Sequence, residues 1–421
     1  MAFETAVSGI KAASADLSII GNNVANSSTT AFKASSAHFA DVFTSSLLGT
    51  GSNQVGKGVS LASVGQDFGQ GNITFTSNSL DMAINGSGFF VLSDEGAALY
   101  TRSGNFHVDK EGFIVGNGGH RLQGIQATPG GDLVGQVTDL RIDSSLIDPR
   151  PTQRVDLGVN LDSREAAALV PWGGPYDAFA SPPTTPSPDM FNSSTSVTVY
   201  DGQGVPHAMS LYFVKSATPN EWNIHSMIDG VSVGGPDTVT FQSNGQFDPA
   251  TLPIAINITG WAPLNPNGLP SGAGVQAITL DLSATSQLGS DFAVSTIEQD
   301  GYSSGQLRGL EIDNAGVMFA RYTNGQSRQF AQVLLANFTN PNGLQANGDT
   351  GWSETAASGV PVIGTAGTSG MGVIQSGALE DSNVELTEQL VRMIVAQRNF
   401  QANAQMIQTE DAVTQTIINL R

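Results

Sequence analysis

The two ends of this 421-residue chain carry the sequence pattern of long helices, and glycine-rich β sequence lies between them. Apolar residues recur at helical spacing over residues 1–30 and again over 382–421. A β core that lies far away in sequence cannot bury the apolar stripes of these helices. We therefore expect the stripes to pair with each other, with other copies of the chain, or with another protein. This layout favours a subunit built for assembly.

The N-terminal seam consists of large apolar residues at spacings of four, three, seven and seven, with small residues between them. Its members are Phe3, Val7, Ile10, Leu17 and Val24. The small side chains on the same stripe would let another helix approach closely. We expect the helix to end near Gly21-Asn22-Asn23, because Gly and Asn tolerate the left-handed conformation that terminates helices.

The C-terminal segment predicts a longer helix. Ser382 and Glu385 have the spacing of a capping box, and neither Pro nor Gly occurs in residues 382–421. Its apolar seam is Leu386, Leu390, Met393, Phe400, Ala404 and Ile407, continued with a slight shift by Val413, Ile417 and Leu420. A helix of roughly 38 residues would be about 57 Å long. That length predicts a coiled coil, with packing on the chain's own domain as the alternative.

The middle of the chain predicts antiparallel β structure. Asp201-Gly202, Asn244-Gly245 and Asn324-Gly325 lie between strand-like runs and are strong hairpin signals. The proline-rich residues 163–190 predict an irregular surface excursion.

The predicted fold is mainly β with long terminal α-helices and two antiparallel β domains, one inserted in the other. The predicted parts are a terminal helical coiled-coil domain (1–30 and 382–421), extended connectors (31–70 and 356–381), a discontinuous β body (71–145 and 286–355) and an outer β domain (146–285).

Composition excludes several classes of protein. The net charge of −20 and the scattered 17 basic residues argue against binding of nucleic acid, which needs clustered Lys and Arg. Cysteine is absent, which excludes disulfide and thiolate chemistry. The sequence contains no run of eighteen apolar residues, so no membrane span is predicted. The first residues lack the pattern of a cleavable secretory signal.

No catalytic, cofactor or metal site is predicted, so we do not expect an enzyme. His38, His107, His120, His207 and His225 show neither HxH nor HExxH spacing. Residues 109–112 and 313–316 (Asp-x-x-Gly) predict turns between strands and are too short for a calcium loop. A carbohydrate-binding β protein would need aromatic residues clustered on one exposed face, whereas the four tryptophans are dispersed in the sequence.

Three stretches of sequence resemble the axial proteins of the bacterial flagellum, the rod and hook family. They are residues 21–33, residues 78–106, and residues 377–403. The resemblance is carried by Asn22, Asn23, Ala25, Asn26, Phe32, Lys33, Leu80, Asp81, Ala83, Ile84, Gly86, Gly88, Phe89, Phe90, Ser382, Asn383, Val384, Gln397, Arg398 and Asn403. Two residues depart from the family pattern, because Ala31 and Ser77 stand where a Gly is usual.

Within that family the chain resembles the hook members, because it carries a large inserted β domain. The resemblance implies polymerisation into a curved, flexible tube that acts as a universal joint and transmits torque from the rod to the filament. The alternative is a stiff subunit of the distal rod. The implied partners are identical copies, the distal rod, the hook cap, the hook–filament junction proteins and the flagellar type III export apparatus.

The resemblance also implies a location in the flagellum, outside the cell, after export without signal cleavage. Membrane insertion is not expected. The terminal helices would line the inside of the tube, and in the free subunit we expect them to be largely disordered, because ordering them costs entropy without compensation.

Overall fold

The structure is a computed structural model that describes residues 2–42, 56–128, 130–143, 145–248 and 255–419. The predicted fold class is confirmed, since several antiparallel sheets make up most of the molecule and a long helix lies near each end. The described residues divide into two compact units. Unit 1 lies within Met1–Ser144, Gly309–Arg321 and Ser327–Arg421, and unit 2 lies within Ser145–Arg308 and Tyr322–Gln326.

The two helices, α1 (Ala2–Ala25) and α2 (Leu386–Asn419), both belong to unit 1. The sequence places the end of α1 too early, because the helix continues through Gly21-Asn22-Asn23 and ends at Ala25. The predicted capping box is wrong. Ser382 lies four residues before α2 begins, and its hydroxyl instead accepts a hydrogen bond from the N–H of Val384 (3.3 Å).

The strands of unit 1 form one large sheet and three small two-stranded sheets. They are β1 (Ser35–Asp41), β2 (Val59–Gln66), β3 (Ile73–Phe75), β4 (Met82–Asn85), β5 (Phe89–Asp94), β6 (Ala97–Thr101), β7 (Phe106–Val108), β8 (Ile114–Gly116), β9 (Arg121–Gln126) and β10 (Val137–Asp139). After unit 2 come β21 (Leu307–Ile312), β22 (Val317–Tyr322), β23 (Ser327–Asn337), β24 (Gln345–Gly348), β25 (Gly351–Ser353), β26 (Val362–Thr365), β27 (Val373–Ser376) and β28 (Ala378–Glu380).

The predicted connectors of unit 1 contain some of these strands. On the N-terminal side, β1 pairs with β2 in an antiparallel ribbon, and β3 pairs with β28 from the C-terminal side. Strand β4 pairs with β27 in the same way, so segments from both ends of the chain are hydrogen-bonded together. The sequence also predicts a short helical or strand piece near residues 32–48 in the first connector; β1 lies within it, and its residues 43–48 lie outside the described residues.

Unit 2 contains two five-stranded sheets. Its strands are β11 (Arg154–Asp162), β12 (Ser193–Tyr200), β13 (Pro206–Lys215), β14 (Glu221–Ile228), β15 (Val231–Ser232), β16 (Asp237–Thr240), β17 (Ala255–Trp261), β18 (Gln276–Asp281), β19 (Ser286–Leu288) and β20 (Ala293–Gln299). One sheet has the order β17-β18-β11-β19 with β20 also on β11, and the other has β12-β13-β14-β15 with β16 also on β14. The pairing is not wholly antiparallel, because β11 runs parallel to β18 and β19.

Alternation along the strands builds the core between the two sheets of unit 2. In β13 the side chains of Met209, Leu211 and Phe213 point inward, and the residues between them are more exposed. They join apolar residues of β11, β14, β17 and β18 in one buried cluster. Strands β19 and β20 pair with β11, which places residues 286–308 in unit 2, although the sequence assigns them to the β body. The predicted four-part division into domains stays a prediction.

The predicted turn chemistry is present in the structure. Asn324-Gly325 forms the hairpin between β22 and β23, with Gly325 at a φ of 81°. The carboxylate of Asp313 accepts hydrogen bonds from the N–H groups of Ala315 (2.9 Å) and Val317 (2.8 Å). Asp109 uses its carboxylate in the same way with Glu111 and Phe113, as expected of turns between strands.

Candidate assembly site

Helices α1 and α2 pack against each other in an antiparallel arrangement. Gly9 faces Asn403, and Asn23, fourteen residues later in α1, lies beside Gln389, fourteen residues earlier in α2. A Cβ atom on Gly9 would lie 2.5 Å from the Asn403 side-chain oxygen, so the glycine lets the helices approach closely. The two ends of the chain therefore pair within one subunit.

The inner faces of this helix pair carry small or polar residues more than large apolar ones. The buried residues of the two helices are Ala6, Ala13, Ile20 and Asn23 on α1 and Gln389 and Ala396 on α2. Small side chains bring the helix axes close, and the polar pair is satisfied by a hydrogen bond from Asn23 Nδ2 to Gln389 Oε1 (3.2 Å). On α1 the buried Ala6 and Ala13 are small residues of the predicted stripe, whereas the large apolar residues predicted for the two seams are, as far as the structure describes them, not among the buried ones.

The large apolar residues of the predicted seams are mostly half-buried or exposed. On α1, Phe3 is exposed and Val7, Ile10, Leu17 and Val24 are half-buried. On α2, Leu386, Leu390, Phe400 and Val413 are exposed, and Met393, Ala404 and Ile407 are half-buried. The side chain of Ile417 and all of Leu420 lie outside the part of the chain that the structure describes. The role of these residues in assembly stays a prediction.

Asn23 connects three elements at the end of α1. Its side-chain N–H donates to the carbonyl of Ser35 (2.8 Å), and its side-chain oxygen accepts from the N–H of Ser35 (2.9 Å). Together with the bond to Gln389, these contacts use both ends of the buried amide. Asn23 therefore holds α1, β1 and α2 together, which is more than the capping role that its position near a helix end suggests.

A buried cluster of charges joins both chain ends to the β body. Glu380 lies at the end of β28, with Lys33 Nζ 2.6 Å from its Oε1 and Arg102 Nη1 3.3 Å from its Oε2. The side chains of Lys33 and Glu380 are 0% exposed, and that of Arg102 is 4% exposed. We call Asn23, Lys33, Arg102 and Glu380 the junction.

Backbone groups satisfy most of the remaining polar atoms of the junction. Lys33 Nζ donates to the carbonyl of Gly69 (2.7 Å), and Glu380 Oε1 accepts from the N–H of Gly71 (2.9 Å). Arg102 Nη2 donates to the carbonyl of Gly86 (2.7 Å), while its Nε has no hydrogen-bond partner among the described residues. Gly86 has a φ of 118°, which is a backbone conformation that other residues rarely adopt.

The electrostatics of the junction depend on a single carboxylate. Burial lowers the pKa of Lys33 below its ordinary value, and the attraction of Glu380 opposes that effect. Burial also lowers the pKa of Arg102, again against the attraction of Glu380. Because two buried cations share one anion, removal of Glu380 would leave both cations without a counter-charge.

The turn before Lys33 shows why a glycine is usual at position 31, where this chain has an alanine. Ala31 is fully buried and has a φ of 58°, in the left-handed region that favours glycine. Its N–H donates to the backbone carbonyl of Glu380 (2.8 Å), so this strained turn is part of the contact between the two chain ends. A glycine at position 31 would adopt this conformation without the strain of a Cβ atom.

The remaining motif residues fall into two groups. Those of the β body are buried: Leu80, Asp81, Ala83, Ile84, Gly88, Phe89 and Phe90. Gly86 is the exposed exception in the β body. In or near the helices, the half-buried motif residues are Asn26, Phe32, Ser382, Asn383, Val384 and Asn403. The exposed ones are Asn22, Ala25, Gln397 and Arg398. Asn383 bridges the chain ends, because its Oδ1 accepts from the N–H of Ala34 (2.8 Å) and its Nδ2 donates to the carbonyl of Asp67 (2.8 Å).

Three further features concern metal binding, membrane spans and the proline-rich loop. The described ranges hold no group of His, Asp and Glu side chains suited to a metal ion. Neither α1 nor α2 has, over its described residues, an apolar stretch long enough to cross a membrane. In unit 2 the ring of Trp172 stacks on His225 with centroids 4.1 Å apart, which fixes the proline-rich loop to its own sheet.

When the chain is compared with known proteins, flagellar proteins match most of its length. Family models match in chain order: "Flagella basal body rod protein" over residues 3–33, "Flagellar hook protein FlgE/F/G D1 domain" over 83–152, "Flagellar basal body protein FlaE D2 domain" over 160–302, and "Flagellar basal body rod FlgEFG protein C-terminal" over 375–420. The flagellar hook protein FlgE of Escherichia coli K12 is 37% identical over 433 residues, which covers 100% of both chains. The chain belongs to the flagellar hook protein family.

Other hook proteins extend the match. The Salmonella typhimurium LT2 hook protein is 38% identical, with 100% of both chains covered. The Borreliella burgdorferi B31 hook protein is 32% identical, with 99% of this chain and 98% of the relative covered. A crystal structure of Helicobacter pylori hook protein FlgE2 has a TM-score of 0.52 at 16% identity, covers 72% of this chain and 99% of its own, and supports the fold. These full-length matches to hook proteins support the hook role over the distal-rod alternative.

Proposed function

We propose that this chain polymerises head to tail into the curved, hollow tube of the flagellar hook. The observation that carries the proposal is the surface of α2, a helix of 34 residues whose inner face alone contacts α1. Its remaining faces expose Leu386, Leu390, Ile394 and Phe400, among other large apolar residues. A helix that is apolar on most sides requires partners on most sides.

In the tube, the paired helices would form the inner wall and the β structure would lie outside. Contacts between different patches on successive copies generate an open helical assembly when the rotation does not close. The whole chain is poor in charge and rich in glycine, since 13% of the residues are charged and 49 are glycine, so the outer surface of the tube would carry few charges. Such surfaces can shift past one another at little energetic cost, which suits a joint that bends as it rotates and transmits torque.

The specific partners follow from the same role. The tube would stand on the distal rod, grow beneath the hook cap and end at the hook–filament junction proteins, after export of the subunits through the flagellar type III apparatus. These partners would contact the exposed surface of α2 or that of α1, because these surfaces have no neighbouring copy at the two ends of the tube.

Electron microscopy of the purified full-length chain over a range of concentrations tests the proposed function. We expect curved tubes above a critical concentration. Tubes that are straight under all conditions would favour a rod-like role, and the absence of any polymer at high concentration would refute the proposal.

A further inference from the structure

The outward side of α2 carries a regular apolar stripe that the helix pair does not cover. Val391, Val395, Ala402, Met406 and Val413 follow one another at spacings of four, seven, four and seven, and we call them the outer stripe. All of them are exposed, and the four large side chains are between 47% and 58% exposed. The spacing places them along one side of the helix, roughly 100° around its axis from Ala396.

A motif residue that forms no ion pair within the subunit lies at the edge of the outer stripe. Arg398 stands between Val395 and Ala402 in the sequence and is exposed. Among the described residues its guanidinium forms no ion pair, whereas Arg392 on the same helix pairs with Glu388 (2.5 Å). Arg398 is therefore an unpaired charge beside an apolar surface.

A groove of complementary character lies on the other helix. It has a volume of about 480 Å³, and Phe3 and Val7 of α1 and Val59 and Leu61 of β2 supply its apolar lining. We call it the α1 groove. Glu4 and Lys11 also line it, and in the described structure neither takes part in an ion pair. Among the described residues of α2 none lines the groove, so the outer stripe of the same chain does not occupy it.

We propose that the outer stripe of one copy docks in the α1 groove of the next copy, with Arg398 facing Glu4. An apolar ridge meets an apolar groove, and the basic Arg398 meets the acidic Glu4, which lies about two helical turns from Lys11 in the same lining. Ridge and groove are different patches of the same chain, so the contact is heterologous and propagates from copy to copy. This inference rests on the proposed function and adds the two surfaces that meet.

The outer stripe is preferred over the face of Leu386, Leu390 and Ile394 because of charge. Arg398 lies about 50° from the outer stripe's centre line but about 80° from that of the other face. Docking through the outer stripe therefore brings this guanidinium closer to Glu4 of the groove. The face of Leu390 would then be free for a different neighbour in the tube.

Disulfide cross-linking tests the contact, because the natural chain has no cysteine. We expect tubes assembled from a mixture of Leu61→Cys and Val395→Cys chains to form cross-linked dimers on mild oxidation. Tubes of either variant alone would not. Leu390→Cys, on the other face of α2, and Leu169→Cys, an exposed residue of unit 2, serve as matched controls in mixtures with Leu61→Cys.

A charge exchange provides a second measurement that does not depend on disulfide geometry. Arg398→Glu and Glu4→Arg should each raise the critical concentration for tube formation by about tenfold or more, because like charges would meet in the docked surface. The double variant carrying both changes should return it close to the natural value. If the double variant is no better than the single variants, Arg398 and Glu4 do not meet.

Several results would overturn the inference while leaving the proposed function intact. One is mixed tubes in which Leu61→Cys cross-links to Leu390→Cys as well as it does to Val395→Cys. Another is a cross-link within single chains of the Leu61→Cys/Val395→Cys double variant below the critical concentration, which would show that the groove is filled within the subunit. Failure of the natural chain to form tubes would instead count against the proposed function itself.

Discussion

The junction and the outward faces of α2 use family-motif residues in opposite ways. At the junction, Asn23, Lys33 and Glu380 are buried and bonded within one chain. Less than twenty residues beyond Glu380, Gln397 and Arg398 are exposed and form no ion pair among the described residues. The first group closes the subunit by tying its two ends to the β body. The second group is left open, which is the expected condition of residues that function only between subunits.

The energetics of the two regions differ accordingly. Burial of the junction charges makes each partner dependent on the others, since breaking a buried pair leaves an uncompensated charge. Exposed apolar residues on α2 contribute little to the free subunit, because water still reaches them. Substitutions at the junction should therefore alter the subunit, and substitutions on the outward faces should alter only the assembly.

The largest effect is expected for Glu380→Gln. The substitution leaves Lys33 and Arg102 buried without a counter-charge, which should destabilise unit 1 by about 3–5 kcal/mol. Native-state hydrogen exchange of β5 and of α2 would measure the loss of protection. Glu385→Gln, at an exposed carboxylate five residues further on, is the matched control and should have almost no effect. Equal losses in the two variants would show that the junction is not a stabilising device.

Asn23→Ala should have the second-largest effect. It removes the partner of both backbone groups of Ser35 and of Gln389, and leaving buried polar groups unsatisfied costs about 1–3 kcal/mol. Loss of exchange protection in β1 and the adjoining turn of α1 would report it. Asn22→Ala changes the neighbouring exposed amide, which bonds only to Asn26, and provides the comparison. A similar loss in both variants would contradict the role of Asn23 as a three-way link.

Sequence patterns predict the helices and strands of this chain more reliably than the contacts between distant residues. Two terminal helices flanking antiparallel β structure could be predicted because helix periodicity and hairpin signals are local. The parallel pairing of β11 with β18 and β19 could not, because it joins residues more than one hundred positions apart. For the same reason the boundary of unit 2 could not be placed from local composition.

The inner face of the helix pair escaped prediction for a different reason. Apolar residues lie on several sides of α2, so periodicity does not single out one face. The face that packs on α1 is marked by small and polar residues such as Ala396 and Gln389, which carry a weak hydropathy signal. The junction escaped because a lone Arg102 or Glu380 looks like a surface charge in sequence. The low overall content of charged residues was the one available hint.

Lys33→Met should be tolerated much better than Glu380→Gln. Glu380 keeps Arg102 and the N–H of Gly71 as partners, although its Oε1 and the carbonyl of Gly69 each lose the Lys33 donor. Because burial lowers the pKa of Lys33, charging this side chain in the folded state is costly, and a neutral isostere avoids that cost. We expect a loss of no more than about 1–2 kcal/mol, measured by hydrogen exchange of β5.

The pH dependence of the Lys33→Met variant provides a further measurement of the junction. In the natural protein, folded Lys33 releases its proton at a lower pH than unfolded Lys33, whose pKa is about 10.4. The unfolded chain therefore binds more protons in the window below that value, so the contribution of Lys33 to the free energy of unfolding rises with pH there. Lys33→Met should lack this rise. Identical pH profiles for the two proteins would show that Lys33 is not held in a desolvated site.

The smallest effect on the subunit, and the sharpest contrast with the junction, is expected for Leu390→Ser. This side chain is half exposed on α2, so the free energy of unfolding of the free subunit should change by no more than about 0.5 kcal/mol. If Leu390 is buried between copies in the tube, its loss removes about 1.5–3 kcal/mol of apolar burial, which corresponds to a rise of roughly 10- to 150-fold in critical concentration. Gln401→Ser, an exposed polar change on the same helix, controls for altered helix propensity. A Leu390→Ser chain that is destabilised as a monomer yet assembles at the natural concentration would show that this face is covered within the subunit, and the contrast between a closed junction and an open helix would not hold.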